Sequence, residues 1–136
     1  MTLTKIVFDG DYQMVINIPE ESNPVSLIIS DELDAAYEPL SNSFQKKIIE
    51  FINKSNVWYP LAHERINKEF SKDIASQLMN IYILSEEDNK NTIYGLLYRI
   101  EEDVEHGRGI KITDDMKIIE YGIGDIAIYW IINSKW

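Results

Sequence analysis

Cysteine is absent from the 136 residues, which excludes disulfide staples and thiolate chemistry. Histidine occurs only twice, at His63 and His106. No apolar stretch approaches the roughly 20 residues that a membrane-spanning helix needs. The first residues, Met1 to Lys5, lead into a strand-like run rather than a signal peptide, so cytoplasmic residence is the expectation. No linker and no internal repeat interrupts the chain, which is expected to form a single domain over 1–136. Positive charge is also scarce: 13 Lys and Arg stand against 23 Asp and Glu, for a formal net charge of -10. A surface short of cations is a poor phosphate binder, which argues against direct nucleic-acid binding and against anionic membranes. It suits a basic protein partner, including one that itself binds nucleic acid; solubility is the plainer use of the same charge.

What is present is a well-patterned core. Hydrophobic residues make up 45% of the chain, too many for a disordered acidic tail. Thr4–Phe8 and Tyr12–Ile18 read as strands around the turn pair Asp9-Gly10, an N-terminal hairpin with an acidic tip at Asp9 and Asp11. Val25–Ile29 reads as a third short strand. The period then changes. Leu40, Phe44, Ile48, Phe51 and Ile52 follow helical spacing to about Asn53, with Pro39 suited to a first turn. Lys54-Ser55-Asn56 breaks the run. A second helix is expected over Trp58–Phe70, with Trp58, Leu61, Ala62, Ile66 and Phe70 inward.

Leu78–Leu84 alternates, with Met79, Ile81 and Ile83 on one face. After a polar loop at 85–91, Thr92–Ile100 alternates again, with Tyr94, Leu96, Tyr98 and Ile100 together. Arg108–Thr113 and Met116–Tyr121 form a hairpin around Asp114-Asp115, and Ile126–Ile132 is a last strand after turn or bulge glycines at Gly122 and Gly124. The order predicts an α+β fold: a mainly antiparallel sheet, built from the N-terminal hairpin and a C-terminal meander, with two central helices packed on one face. The other face is expected to stay partly wet. Trp58, Tyr59, Trp130 and Trp136 are core candidates, Trp136 being the one expected to be most exposed.

Few residues suggest chemistry. His63-Glu64 begins like a zinc-protease helix, but Asn67 stands where the second histidine belongs. His106 beside Asp103 or Glu105 would make an acid–base pair or a weak metal site, but Gly107 and Gly109 mark the segment as a tight turn, and no nucleophile accompanies it. Neither glycine pair completes a phosphate loop. No cofactor is expected. The acidic clusters are better candidates: Asp31, Glu32 and Asp34 with Glu38; Glu86, Glu87 and Asp88; and Glu101, Glu102, Asp103 and Glu105. Like charges this dense repel one another, and a basic partner relieves the repulsion.

The run Asp103-x-Glu105-His106-Gly107-x-Gly109-Ile110, a hairpin, and then Tyr121-Gly122-x-x-Asp125-Ile126-Ala127 resembles the C-terminal hairpin of a group of small acidic bacterial domains of uncharacterised function. Several of these look like immunity proteins of contact-dependent inhibition and polymorphic toxin systems. The resemblance covers roughly the last third of the chain and speaks to fold more than to function. It implies a non-catalytic, cytoplasmic protein, a monomer or weak dimer when free, that neutralises a basic, nuclease-like protein toxin. Glu101, Glu102, Asp103 and Glu105 are the first choice for the partner-binding patch, and Asp31, Glu32 and Asp34 the second. The alternatives are a small hydrolase using His106 with Asp103 or Glu105, and an acidic regulatory mimic of nucleic acid.

Overall fold

The computed structural model describes residues 3–88 and 90–129. Its strands are β1 (Gln13–Ile16), β2 (Val25–Ile29), β3 (Ser76–Ile83), β4 (Ile93–Ile100), β5 (Arg108–Thr113) and β6 (Ile118–Gly122), and they form one sheet in sequence order. Every neighbouring pair is antiparallel except β2 and β3, which run parallel. A parallel pair needs a crossover, and helices α1 (Asn42–Asn53) and α2 (Ser55–Phe70) supply it. The fold is α+β, with the helices between an N-terminal hairpin and a C-terminal meander.

The N-terminal hairpin is built from different strands than expected. Thr4–Phe8 carries no strand; β1 pairs instead with β2, Gln13 opposite Ile28 and Ile16 opposite Val25. Asp9-Gly10 still turns the chain. The Asp9 carboxylate accepts from the backbone N–H of Asp11 at 2.8 Å and of Gln13 at 3.3 Å, and the turn holds Tyr12 in the left-handed region at φ 63°. Such a backbone is rare for a bulky residue. The Tyr12 carbonyl nonetheless continues the ladder by accepting from Ile29 N.

Helix α1 buries Phe44, Ile48, Phe51 and Ile52, as its spacing predicts. Pro39 lies ahead of the helix rather than in its first turn, because Ser41 is the N-cap and accepts from Phe44 N at 3.1 Å. The break before α2 is a single residue, Lys54, so α2 begins at Ser55, three residues earlier than Trp58, and Pro60 falls inside it. Trp58, Ala62 and Ile66 are buried, whereas Leu61 faces outward. Helices and sheet meet in an aromatic stack: the Phe51 ring lies between Trp58, at 5.2 Å, and Tyr94, at 3.8 Å. The Trp58 indole N–H donates to Phe51 O at 2.8 Å, which satisfies its one polar atom in a fully buried site.

Two expectations fail in the meander. The β3–β4 register shifts between Leu78 and Asn80, and this bulge turns Leu78 inward with Ile81 and Ile83 while exposing Met79. An extra residue reverses the alternation ahead of it. Ile126 and Ala127, expected to begin a last strand, belong instead to a 3-10 turn over Gly124–Ala127. That turn covers the sheet face away from the helices. A Cβ on Gly95 would stand 1.8 Å from Ala127 O and one on Gly109 2.8 Å from Ala127 N, so only glycine on β4 and β5 lets this layer dock. Over β1 the same face is open, and Val15 is 67% exposed. The rest of the expected strand, 130–132, with Trp130 and Trp136, lies outside the described residues.

Candidate functional site

The sheet has two ends, and the acidic segments divide between them. Ser76 pairs with Ile100 at one end of β3 and β4, and Ile83 pairs with Tyr94 at the other. Eight residues of strand place the ends roughly 25 Å apart. Glu101–Glu105 follow Ile100 at the first end. Asp31–Asp34 sit at the second, where Ser30 N donates to Ile83 O.

At the first end most carboxylates already have cations. Arg108 is the centre. Its Nε and second terminal nitrogen fork onto Glu69 at 2.8 and 3.0 Å, and its remaining nitrogen reaches Asp103 at 2.7 Å. The guanidinium also lies 5.3 Å from the Phe70 ring. Tyr121 OH donates to Glu69 and Arg65 rests 4.0 Å over the Tyr121 ring. These contacts hold both carboxyls, Glu69 and Asp103, below the ordinary range, the Arg108 hydrogen bonds being the main cause. Burial, with the Glu69 bond second, pushes the Tyr121 hydroxyl up to about 12. Glu101 lies 3.6 Å from Arg99 and Glu102 3.9 Å from Lys72.

His106 belongs to the same turn. Its Nδ1 is 3.1 Å from Asp103 Oδ1, which also accepts from the His106 backbone N–H at 3.2 Å; Glu105 stands 3.9 Å from Nε2. Gly107, at φ 63°, closes the turn, its N–H donating to Asp103 O. The ring is half exposed, and Asp103 is committed to Arg108 and the turn backbone. His63 sits on α2 between Asp73 at 3.0 Å and Ser76 at 3.2 Å. Among the described residues, no group of three or more His, Asp or Glu is placed to hold a metal ion.

The second end differs. Three segments far apart in sequence converge there: Asp9–Tyr12, Asp31–Glu38 and Glu86–Asp88. The Glu86 carboxylate accepts from Asp34 N at 2.6 Å and Ala35 N at 3.4 Å and so caps a 3-10 turn at Asp34–Tyr37. Glu87 accepts from the Ser41 and Ser43 hydroxyls at the start of α1, and the Ser43 bond, with Ser41 next, lowers its pKa. Asp31, Glu32, Asp34 and Glu38 stay exposed, and none of them forms an ion pair with a described residue. Among them stands Tyr37, 64% exposed, its ring edge-on to Tyr12 at 5.6 Å and its hydroxyl donating to Asp31 O at 2.6 Å.

The carboxylates at both ends are visible in the sequence and the aromatic pair is not, because Tyr12 reads only as the start of the Tyr12–Ile18 strand and Tyr37 lies outside any periodic segment. The signal available was composition: Tyr37 closes the loop Asp-Glu-Leu-Asp-Ala-Ala-Tyr-Glu, an aromatic among acids.

The chain matches no family model, no curated protein and no solved structure. No helix among the described residues is long and apolar enough to cross a membrane.

Proposed function

We propose that this chain is an immunity protein that binds a basic, nuclease-like protein toxin one to one and blocks it sterically and electrostatically. The observation that carries the reading is the second end of the sheet, where Asp31, Glu32, Asp34 and Glu38 are exposed beside an exposed tyrosine and form no ion pair among the described residues. Holding like charges together disfavours the free protein, and a cationic surface relieves that cost on binding while the field speeds encounter. A toxin that grips phosphates with lysine and arginine offers such a surface. Nanomolar binding would correspond to about 12 kcal/mol, which a few desolvated charge pairs around an aromatic anchor supply.

This ranks the two patches differently from their order in the sequence reading. Asp103 is engaged by Arg108, and Glu101 and Glu102 have cations within 4 Å, so Asp31, Glu32 and Asp34 come first. The hydrolase reading draws less support, because the carboxylate nearest His106 is spent on the turn and on Arg108.

The test is co-expression with the protein encoded immediately upstream, scored by growth and by co-purification. Rescue with a one-to-one complex, lost on reversing Asp31, Glu32 and Asp34 together, is the expected result. A harmless or non-binding neighbour removes the toxin, and indiscriminate capture of nucleic-acid-binding proteins would favour the mimic instead.

A further inference from the structure

At the second end of the sheet a groove of about 470 Å³ opens between the chain around Phe8 and Asp9 and the stretch from Ala35 to Leu40. Phe8, Tyr12, Tyr37 and Leu40 form its apolar walls, and Asp9 and Glu38 its acidic rim. Among the described residues, no lysine or arginine lines it. Tyr12 also borders a second, smaller hollow that carries Asp11, Asp31 and Glu32, with no cation among the described residues that line it, so the acidic surface continues past the groove.

We propose that this groove receives an arginine side chain of the basic partner, the guanidinium lying against the Tyr12–Tyr37 pair and bonded to Glu38 and Asp9. The inference rests on the protein-binding reading and adds to it the residue type recognised and the place. Charge complementarity selects a cation, and the aromatic walls select arginine over lysine. A planar guanidinium stacks on a ring and forks onto a carboxylate, whereas an ammonium remains a hydrated point charge.

At its other end the molecule binds its own guanidinium groups with the same two ingredients, a tyrosine ring and a carboxylate. There Tyr121 is bonded to Glu69, Arg65 lies over the ring, and Arg108 forks onto the carboxylate. The groove offers the same ingredients, the Tyr12 and Tyr37 rings with the Asp9 and Glu38 carboxylates. The receiving surface is also fixed in advance. Tyr37 is tied to Asp31 O, and Tyr12 is held by the Asp9 turn and by its own carbonyl on Ile29 N, so docking orders little further.

The probe is a short peptide of alternating arginine and glycine, titrated into the full-length protein at low salt and followed by backbone amide NMR; its citrulline counterpart is the control. Shifts should concentrate at 9–13 and 35–40 and disappear with citrulline. Tyr37→Ala should weaken binding about tenfold and Glu38→Gln about threefold, while Tyr37→Phe, which keeps the ring, should stay within about twofold of the parent. Combined Glu101→Gln, Glu102→Gln and Glu105→Gln should leave binding unchanged. Shifts centred on 101–105, equal binding of the citrulline peptide, or a Tyr37→Ala protein that binds like its parent would each overturn the site. A silent groove beside intact growth rescue removes the arginine site and leaves toxin neutralisation; a titrating groove without rescue does the reverse.

Discussion

Both ends of the sheet are dense in carboxylates and use them in opposite ways. At the Ile100 end, Glu69 and Asp103 close on Arg108, Glu101 and Glu102 have Arg99 and Lys72 nearby, and the charges contribute to holding α2 against the C-terminal hairpin. At the Ile83 end, Glu86 caps a backbone turn, Glu87 accepts from two serine hydroxyls, and Asp31, Glu32, Asp34 and Glu38 are exposed around Tyr37. The lesson is that acidic density does not mark an interface. What matters is whether the fold brings its own cations to the cluster: at the Ile100 end it pairs them with the carboxylates, whereas at the Ile83 end Lys47 reaches the Glu87 backbone and, among the described residues, no cation pairs with Asp31, Glu32, Asp34 or Glu38.

The sharpest way to break the comparison is Arg108→Met. The Arg108 side chain is only 11% exposed, and its loss leaves two carboxylates facing each other across its former site. Stability should fall by about 3 kcal/mol, read as a lower urea midpoint with an unchanged slope. A loss below about 0.5 kcal/mol would mean that the network is ornamental.

Acid should erase that difference. Glu69 and Asp103 titrate below their ordinary values in the folded protein, so their contribution is complete above the unfolded-state values of about 4 and is lost as pH falls through the lower folded ones. Urea midpoints of the parent and of Arg108→Met should therefore converge as pH falls below about 4. Parallel curves through that window would show that the carboxylates do not depend on Arg108.

Smaller effects are expected at the other end. Ser41→Ala removes the α1 cap and one of the hydroxyls holding Glu87, and should cost about 1 kcal/mol by thermal melt. Smallest of all, Asp31→Asn, Glu32→Gln and Asp34→Asn together should change stability by less than about 0.5 kcal/mol, in the stabilising direction, because repulsion is relieved and no ion pair is lost. A clear destabilisation would show that these acids serve the fold.

Much of the architecture is legible in local pattern. Phe44, Ile48, Phe51 and Ile52 repeat at helical spacing and are buried together; Tyr94, Leu96, Tyr98 and Ile100 alternate and are buried on one face. The failures sit where a local pattern is silent or overruled. Tyr12–Ile18 had two possible partners, and the one chosen lies after Pro24 rather than before Asp9. Met79 looked like a partner of Ile81 until one bulge residue reversed it. The site was half legible: the acids are visible in the sequence, but Arg108 answering Glu69, 39 positions away, is not.

The sequence by itself determined the two helices and the central strands, the buried faces of α1 and β4, the turn at Asp9-Gly10 and the acid surplus, because each depends on residues within a few positions of one another. Only the tertiary structure decided the parallel β2–β3 pairing, the glycine-dependent docking of the 124–127 turn, and which carboxylates are answered by cations. Those depend on which strands become neighbours, and a charge is neutralised by whatever stands beside it in space, not by what precedes it in the chain.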